Sequence, residues 1–512
     1  MAKFPKHASS SEKTGAATPV TLRPAHGESE PESQREGIST EPNQRLRRSL
    51  ELAASGELAA AEECIRSLLQ EFPEHAPALI HLARLLLARG RSAEATSRLE
   101  KLLASPASLG THEVEALLLL AEAEFRAGRV AEAEIYGRRA WALAPRDARA
   151  SFMVAMVCQQ TGRLDEALAL LGEGLILQPD AVHAWVNRGL VEKQLGRLDH
   201  AVASFTQALS LNPAIAPAHY SLGLIHLMRG ARGEAERSFR KALITDPRHI
   251  YAGTQLATLL RYENRMDEAA DIYRAILQYA PENVTARFHL DALQQPNGPA
   301  RIPADVVQAI YADESVGRNL EKSLHYHLKY QTPAILQATL QNVHGVERQV
   351  LDVLDLGCGS GLYGALVQPR ARRLVGVDLS AAMIEECRRK GVYNDLHVND
   401  IVEYLDETRE RFDLIVAMDV LCYFGDLRPL MHRCAGILKP DGILACSVER
   451  LSDGGEWRFH RYGHFLHSAA HLREAAVGAG MREVHLTECA LRRELGEDRM
   501  GYVALFSTTK NN

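Results

Sequence analysis

Paired cysteines, long apolar runs and a surplus of basic charge are all missing from this 512-residue chain. The eight cysteines (64, 158, 358, 387, 422, 434, 446 and 489) are scattered with no C-x-x-C pair. That usage suits free thiols in a reducing compartment and argues against a disulfide framework or a cysteine zinc site. No apolar stretch approaches the roughly 18 residues of a membrane span. The opening MAKFPKHASSSEKTG has no hydrophobic signal core. Net charge is −6, the wrong sign for a surface built to neutralise phosphates. A basic cluster such as Arg370-Ala371-Arg372-Arg373 therefore reads as solvated surface. A soluble, cytoplasmic protein is expected, with neither a nucleic acid nor a membrane as partner. The length allows about three domains.

Three regions differ in pattern. Residues 1–41 are rich in Ser, Glu, Pro, Lys and Gly and show no periodicity, so a disordered leader is expected there. Residues 42–292 repeat. Prolines fall at 145, 179, 213, 247 and 281, each 34 residues from the last. Gly128, Gly162, Gly196 and Gly230 keep the same step, with Asn264 in the next slot, and so do alanines at 133, 167, 201, 235 and 269. Small residues at Ala121, Ala155, Gly189, Gly223 and Ala257 mark a close helix–helix contact. This pattern resembles the tetratricopeptide repeat, a helix–turn–helix unit stacked into a superhelix. About seven repeats are expected, with four extra residues near Pro106–Glu113 breaking the phase. The resemblance places a peptide or protein partner on the concave face, among residues that include Phe152, Val186, Tyr251 and Arg261. Packing within the superhelix is the alternative for these side chains.

Residues 293–304, LQQPNGPARIPA, read as a linker, and 305–512 as a further domain. Strand-like runs near 350–355, 373–378, 395–398, 412–417 and 442–448 alternate with helical stretches, which argues for a parallel, doubly wound sheet. The first run leads into Asp355-Leu356-Gly357-Cys358-Gly359-Ser360-Gly361. Glycines at alternate positions let the backbone turn sharply and let a ligand lie against it. Asp355 puts a carboxylate at a strand's end, where open α/β sheets bind ligands. Asp378, ending the next strand, suits a ribose diol. Together they describe a nucleoside-cofactor site. The spacing G-x-G-x-x-G over Gly359–Gly364 by itself suggests a dinucleotide.

The fuller string DLGCGSGLYG instead resembles the first motif of class I S-adenosylmethionine-dependent methyltransferases. VGVDLSAAMI (375–384), HVNDI (397–401), FDLIVAMDVLCYF (412–424) and LKPDGILACSV (438–448) resemble later motifs of that family, in order. The resemblance implies a Rossmann-like, seven-stranded domain behind an all-α repeat superhelix, with S-adenosyl-L-methionine as cofactor. It implies that Gly357, Gly359 and Gly361 pass under the cofactor and that Asp355 faces its ammonium. Asp378, with Leu379, would hold the ribose; Asp400 and Ile401 would meet the adenine; Met418 and Asp419 would close the pocket near the sulfonium. Each acidic residue has a helix-capping role as its alternative.

Methyl transfer needs mainly proximity and alignment, with a base only for an acceptor of high pKa. The candidates for acceptor binding or proton removal are His460, Tyr462 and His464, in the loop after the fifth strand, and Tyr423 after the fourth. His467 and His471 extend the helix-like spacing of those histidines, but Gly463 interrupts it, and surface or packing roles are expected instead of a metal site. The segment 310–333 lacks the Phe-Asp pattern expected at the family's cofactor lid. Three functions remain open: a methyltransferase whose repeats recruit a protein, peptide or carrier-bound acceptor, a small-molecule methyltransferase whose repeats serve assembly, and a non-catalytic cofactor-sensing scaffold.

Overall fold

The computed structural model describes residues 40–105, 110–294, 299–311, 330–341, 350–460, 463–494 and 497–508. The expected leader, most of the lid segment and Tyr462 lie outside these residues. The chain forms two compact units, one ending at Ser221 and one beginning at Leu222. That division falls inside a repeat helix (Ala216–Met228), not at the proline- and glycine-rich stretch.

The first unit is a stack of helix pairs, from Thr40–Ala54 with Leu58–Glu71 to Val182–Gln194 with Leu198–Leu211. Each pair turns at the glycine of the 34-residue period. Gly56, Gly90, Gly128, Gly162 and Gly196 all have φ between 73° and 87°, a left-handed conformation that costs a side-chain-bearing residue about 1 kcal/mol or more. The small residues at the crossings make room for aromatic rings. A Cβ on Gly189 would sit 2.8 Å from the Phe205 ring, which is fully buried. Arginines on the second helices tie successive repeats. Arg138 bonds Glu134 at 2.7 Å and Glu166 of the next repeat at 2.6 Å. Arg66 links Glu62 and Glu94 in the same way, at 2.8 and 2.5 Å. Apart from the buried Glu62, the partners are half-exposed, and such pairs add little stability each. Of the residues expected on the concave face, Phe152 and Val186 are buried in the stack, so packing explains them.

The second unit continues the repeats through Arg232–Thr245, Ile250–Tyr262, Met266–Tyr279 and Val284–Gln294. Asn264 takes the glycine's place with φ 63°, as its slot in the period implies. Arg261 is buried and donates to the Tyr273 hydroxyl at 3.0 Å, again packing, whereas Tyr251 is half exposed. After the linker and the short helix Ala304–Ile310 comes a seven-stranded sheet. Its strands are β1 (Leu351–Leu356), β2 (Ala371–Asp378), β3 (Asp395–Val398), β4 (Phe412–Ala417), β5 (Leu438–Glu449), β8 (Met481–Glu494) and β9 (Glu497–Thr508). The order is β3-β2-β1-β4-β5-β9-β8, parallel through β5, with β9 and β8 antiparallel at the edge. β1 and β4 are almost continuously buried, as strands covered on both faces must be. Strand order reverses between β1 and β4, so their carboxyl ends open the crevice where such sheets bind ligands.

Two features went unforeseen in the sequence. The loop after β5 contains a hairpin, β6 (Trp457–Phe459) with β7 (Phe465–His467). The linker also pairs with the sheet's active loop: Ile302 N donates to Tyr423 O and Gly425 N to Ala300 O, both at 2.9 Å. Phe288, on the last repeat helix, packs with Ile302, Val306, Val307 and Phe465.

Gly189→Ala should destabilise the first unit by about 1–3 kcal/mol, because the Phe205 ring must move within a close-packed core. Gly172→Ala, where a Cβ would meet nothing within 4 Å, should instead stabilise it by about 0.4–1 kcal/mol. Urea denaturation of both variants checks the contrast; equal midpoints would contradict the crossing-point role.

Candidate active site

The glycine loop links β1 to the helix Leu362–Val367. Gly357, Gly359 and Gly361 have φ of 66°, 52° and 81°. A Cβ on Gly357 would lie 2.1 Å from Val420 Cγ2, so both conformation and space demand glycine there. At Gly359 a Cβ would meet nothing within 4 Å, which leaves bare backbone facing the crevice. Gly357 N and Cys358 N donate to Val377 O at 2.8 and 3.1 Å, stitching the loop to the end of β2. Asp378 completes the seam: one oxygen accepts from Gly359 N at 2.9 Å and the other from Ser380 N at 2.8 Å. Burial pushes its carboxyl up, against those two bonds. Asp355 is buried too and accepts from the Tyr393 hydroxyl at 2.7 Å. Its burial pushes the carboxyl to about 7.

A cavity opens against this loop. Leu379, Asp400, Ile401 and Met418 are among its lining residues. Asp400 caps the helix Ile401–Glu407 by accepting from Val402 N at 2.8 Å, while its other oxygen pairs with Arg301. Asp419 holds a left-handed φ of 53°. Its N–H donates to Ser447 Oγ at 3.0 Å and its carboxylate accepts from that hydroxyl at 3.3 Å. Burial pushes the Asp419 carboxyl up. Tyr311, Tyr330, Pro333 and Tyr423 line the same cavity. The Tyr311 and Tyr423 hydroxyls are 2.8 Å apart, and burial pushes Tyr311 up to about 12 and Tyr423 well above the usual phenol range.

Residues 354–446 match the family described as a methyltransferase domain. Residues 52–108, 82–148, 155–203 and 186–250 match families described as tetratricopeptide repeat. The chain carries a methyltransferase domain and tetratricopeptide repeats. A ubiquinone biosynthesis O-methyltransferase of Coxiella burnetii is 28% identical over 169 residues, covering 30% of this chain and 68% of that relative. A relative of the same name from Nitrobacter winogradskyi is 39% identical over 104 residues, 19% of this chain and 38% of that one. The N-methyltransferase NodS from Bradyrhizobium japonicum aligns over 34% of this chain and 86% of its own, with 23% identity and a TM-score of 0.29.

Within the methyltransferase domain the structure gathers Asp355, Gly357, Gly359, Asp378, Leu379, Asp400, Ile401, Met418, Asp419 and Tyr423 around one cavity. Gly361 sits just behind, where a Cβ would press on Tyr393 at 3.0 Å. Gly364, which completes the dinucleotide-like spacing, makes room for the same phenol: its Cβ would fall 2.3 Å from the Tyr393 hydroxyl.

His460 and His464 are not among the cavity's lining residues. His464 Nε2 lies 2.8 Å from a carboxylate oxygen of the buried Glu449. Burial pushes the Glu449 carboxyl up, but His464 and Arg492 outweigh it and hold it at about 2. Arg492 in turn reaches Asp419 at 3.7 Å. His460 N donates to His464 O at 2.8 Å, and their loop abuts the last repeats, where a Cβ on Gly463 would lie 2.6 Å from Arg261 Nη2. His467 and His471 stack in the interior with rings 5.7 Å apart, a packing role. Among the described residues no group of three or more His, Cys, Asp or Glu is placed to hold a metal ion, and no helix is long and apolar enough to cross a membrane. Sequence reasoning did not single out Arg301, Tyr311, Tyr330 or Phe424. Phe424 ends the motif at 412–424 but was not singled out within it; no local motif marks the other three, which reach the cavity through tertiary pairing.

Asp355 makes folding pH-dependent. Its folded pKa of about 7 lies above the unfolded value of about 3.9, so the folded state binds more protons between them. The contribution of this group to stability falls as pH rises from about 4 to about 7. Asp355→Asn should flatten that slope in urea titrations of the ligand-free protein at pH 5 and pH 8. An unchanged slope would show that the carboxyl is not held protonated.

Proposed function

We propose that this methyltransferase transfers the methyl group of S-adenosylmethionine to a hydroxyl of a small aromatic acceptor, while its repeats hold a protein or peptide partner. One observation carries the reading: a single cavity is lined both by the glycine loop with Asp355 and Asp378 and by Tyr311, Tyr330 and Tyr423. The donor fits the first group by charge and shape. An ammonium suits Asp355, whose burial leaves it in want of a positive partner. A ribose diol suits Asp378, because each carboxylate oxygen keeps a lone pair beyond the bonds from Gly359 and Ser380. Leu379 and Ile401 offer apolar faces for the base, with Asp400 at its edge.

When bound, the donor supplies a methyl carbon already activated by a cationic sulfur, so the protein's task is alignment and exclusion of water. Tyr311 and Tyr423 keep their protons, burial having raised both, and so serve to orient the acceptor by hydrogen bonds. Asp419, lifted by burial and near these tyrosines, would take the acceptor's proton. We prefer it to His464, whose ring is engaged with Glu449. Relatives named for ubiquinone O-methylation support a phenolic acceptor. A carrier-bound acceptor is the second reading. It is favoured by Phe288 of the repeats packing on Ile302 and Val307, which themselves line the cavity.

Titration calorimetry with S-adenosylmethionine, S-adenosylhomocysteine and NAD should give heat for the first two alone. Asp378→Ala should weaken binding at least tenfold; a change within about threefold, roughly 0.7 kcal/mol, would overturn the ribose contact. Turnover is checked by S-adenosylhomocysteine release with a panel of catechols, simple phenols and amines. Release with amines alone would overturn the phenolic assignment. In wild type the donor's affinity should rise between pH 6 and pH 8 as Asp355 ionises, and Asp355→Asn should abolish that rise.

A further inference from the structure

We infer that Arg301, supplied by the segment joining the repeats to the methyltransferase domain, belongs to the cofactor site and reads the adenine base. The inference rests on the donor assigned above. Arg301 lines the same cavity as the glycine loop. Its guanidinium pairs with the buried Asp400 and lies over the Phe424 ring, 4.7 Å from the centroid. Backbone bonds on both sides, from Gly425 N to Ala300 O and from Ile302 N to Tyr423 O, fix where the side chain begins. One donor is left over. Arg301 Nε is buried and has no hydrogen-bond partner, which is costly for a charged group unless a ligand supplies the acceptor.

The geometry of a guanidinium says where that donor points. Nε–H and one Nη2–H form a parallel fork. In Arg301 it is Nη2, the nitrogen on the Nε edge of the guanidinium, that engages Asp400, so the unpartnered Nε–H lies next to that ion pair. Asp400 already accepts from Val402 N and from Arg301, yet each oxygen keeps a lone pair. The site therefore presents one acceptor beside one donor. Adenine offers the complement, an exocyclic amino donor beside a ring-nitrogen acceptor. Hypoxanthine offers the reverse, a carbonyl oxygen beside a ring N–H, and meets both groups with like polarity. Phe424 anchors the guanidinium plane from behind. A salt bridge serving the fold alone would have no use for the unpartnered donor.

The test compares S-adenosylhomocysteine with S-inosylhomocysteine on the full chain by calorimetry. Wild type should prefer the adenine ligand, and Arg301→Gln should weaken that ligand by about tenfold or more while the preference between the two ligands collapses. Arg301→Lys keeps a charge for Asp400 but has no fork, so it should lose the preference with little change in urea midpoint. An unchanged ratio in both variants, with the two ligands weakened equally or not at all, would reduce Arg301 to a structural salt bridge and overturn the inference. Failure of wild type to bind S-adenosylhomocysteine would instead remove the donor assignment, and this inference with it.

Discussion

The seam between the glycine loop and the end of β2 is the constraint on which the site depends. Three residues of that loop adopt left-handed backbone, and nothing in an isolated chain would hold them there. They stay because Gly357 and Cys358 donate to Val377 O and Gly359 donates to Asp378. The loop's shape is therefore set by the β1–β2 register, which places Asp355 opposite Gly376 and Leu356 opposite Val377. Gly376 itself leaves space for Tyr393, whose hydroxyl then reaches Asp355. A buried carboxylate, Asp355, and a half-buried one, Asp378, are thus both fixed at the loop with more acceptor capacity than the protein fills.

Much of this was legible because it follows from short-range periodicity. The 34-residue step located the turns within the helix pairs, down to the left-handed Asn264, since glycine tolerates that conformation best and asparagine better than most other residues. The small residues at crossings announced the rings they accommodate. Continuous apolar runs ending in Asp355 and Asp378 placed the crevice, because a strand buried on both faces has no other pattern. What escaped was tertiary. The dinucleotide-like spacing ending at Gly364 arose from the need to fit Tyr393, a residue distant in sequence. The histidine series looked helical by spacing, but Gly463 at φ 88° turns it into a hairpin followed by a helix, sending His464 to Glu449 and His467 to the interior.

The linker is the sharpest instance. Its prolines and glycine read as a spacer, and its composition is that of one. Composition reports what a segment can do alone, which here is little. It cannot report that the backbone of Ala300 and Ile302 finds partners in Tyr423 and Gly425, or that pairing converts a spacer into a wall.

That wall changes what the repeats are for. Ile302 and Val307 line the cavity on one side and pack against Phe288 of the last repeat helix on the other. Packed interiors transmit displacement instead of absorbing it, so a shift of Val284–Gln294 bears on the cavity wall formed by Ile302 and Val307. Arg499 over the Tyr262 ring at 5.4 Å and the Arg232–Glu497 pair at 3.1 Å tie the same repeats to the β8–β9 edge. Cutting the chain at residue 292 would therefore take Phe288 and Val284 out of that hydrophobic cluster along with the array. Loss of activity in such a fragment would reflect a breached cavity as readily as a missing partner. The repeats from Leu222 onward belong to the same compact unit as the methyltransferase domain, which is where the chain's own compactness divides it.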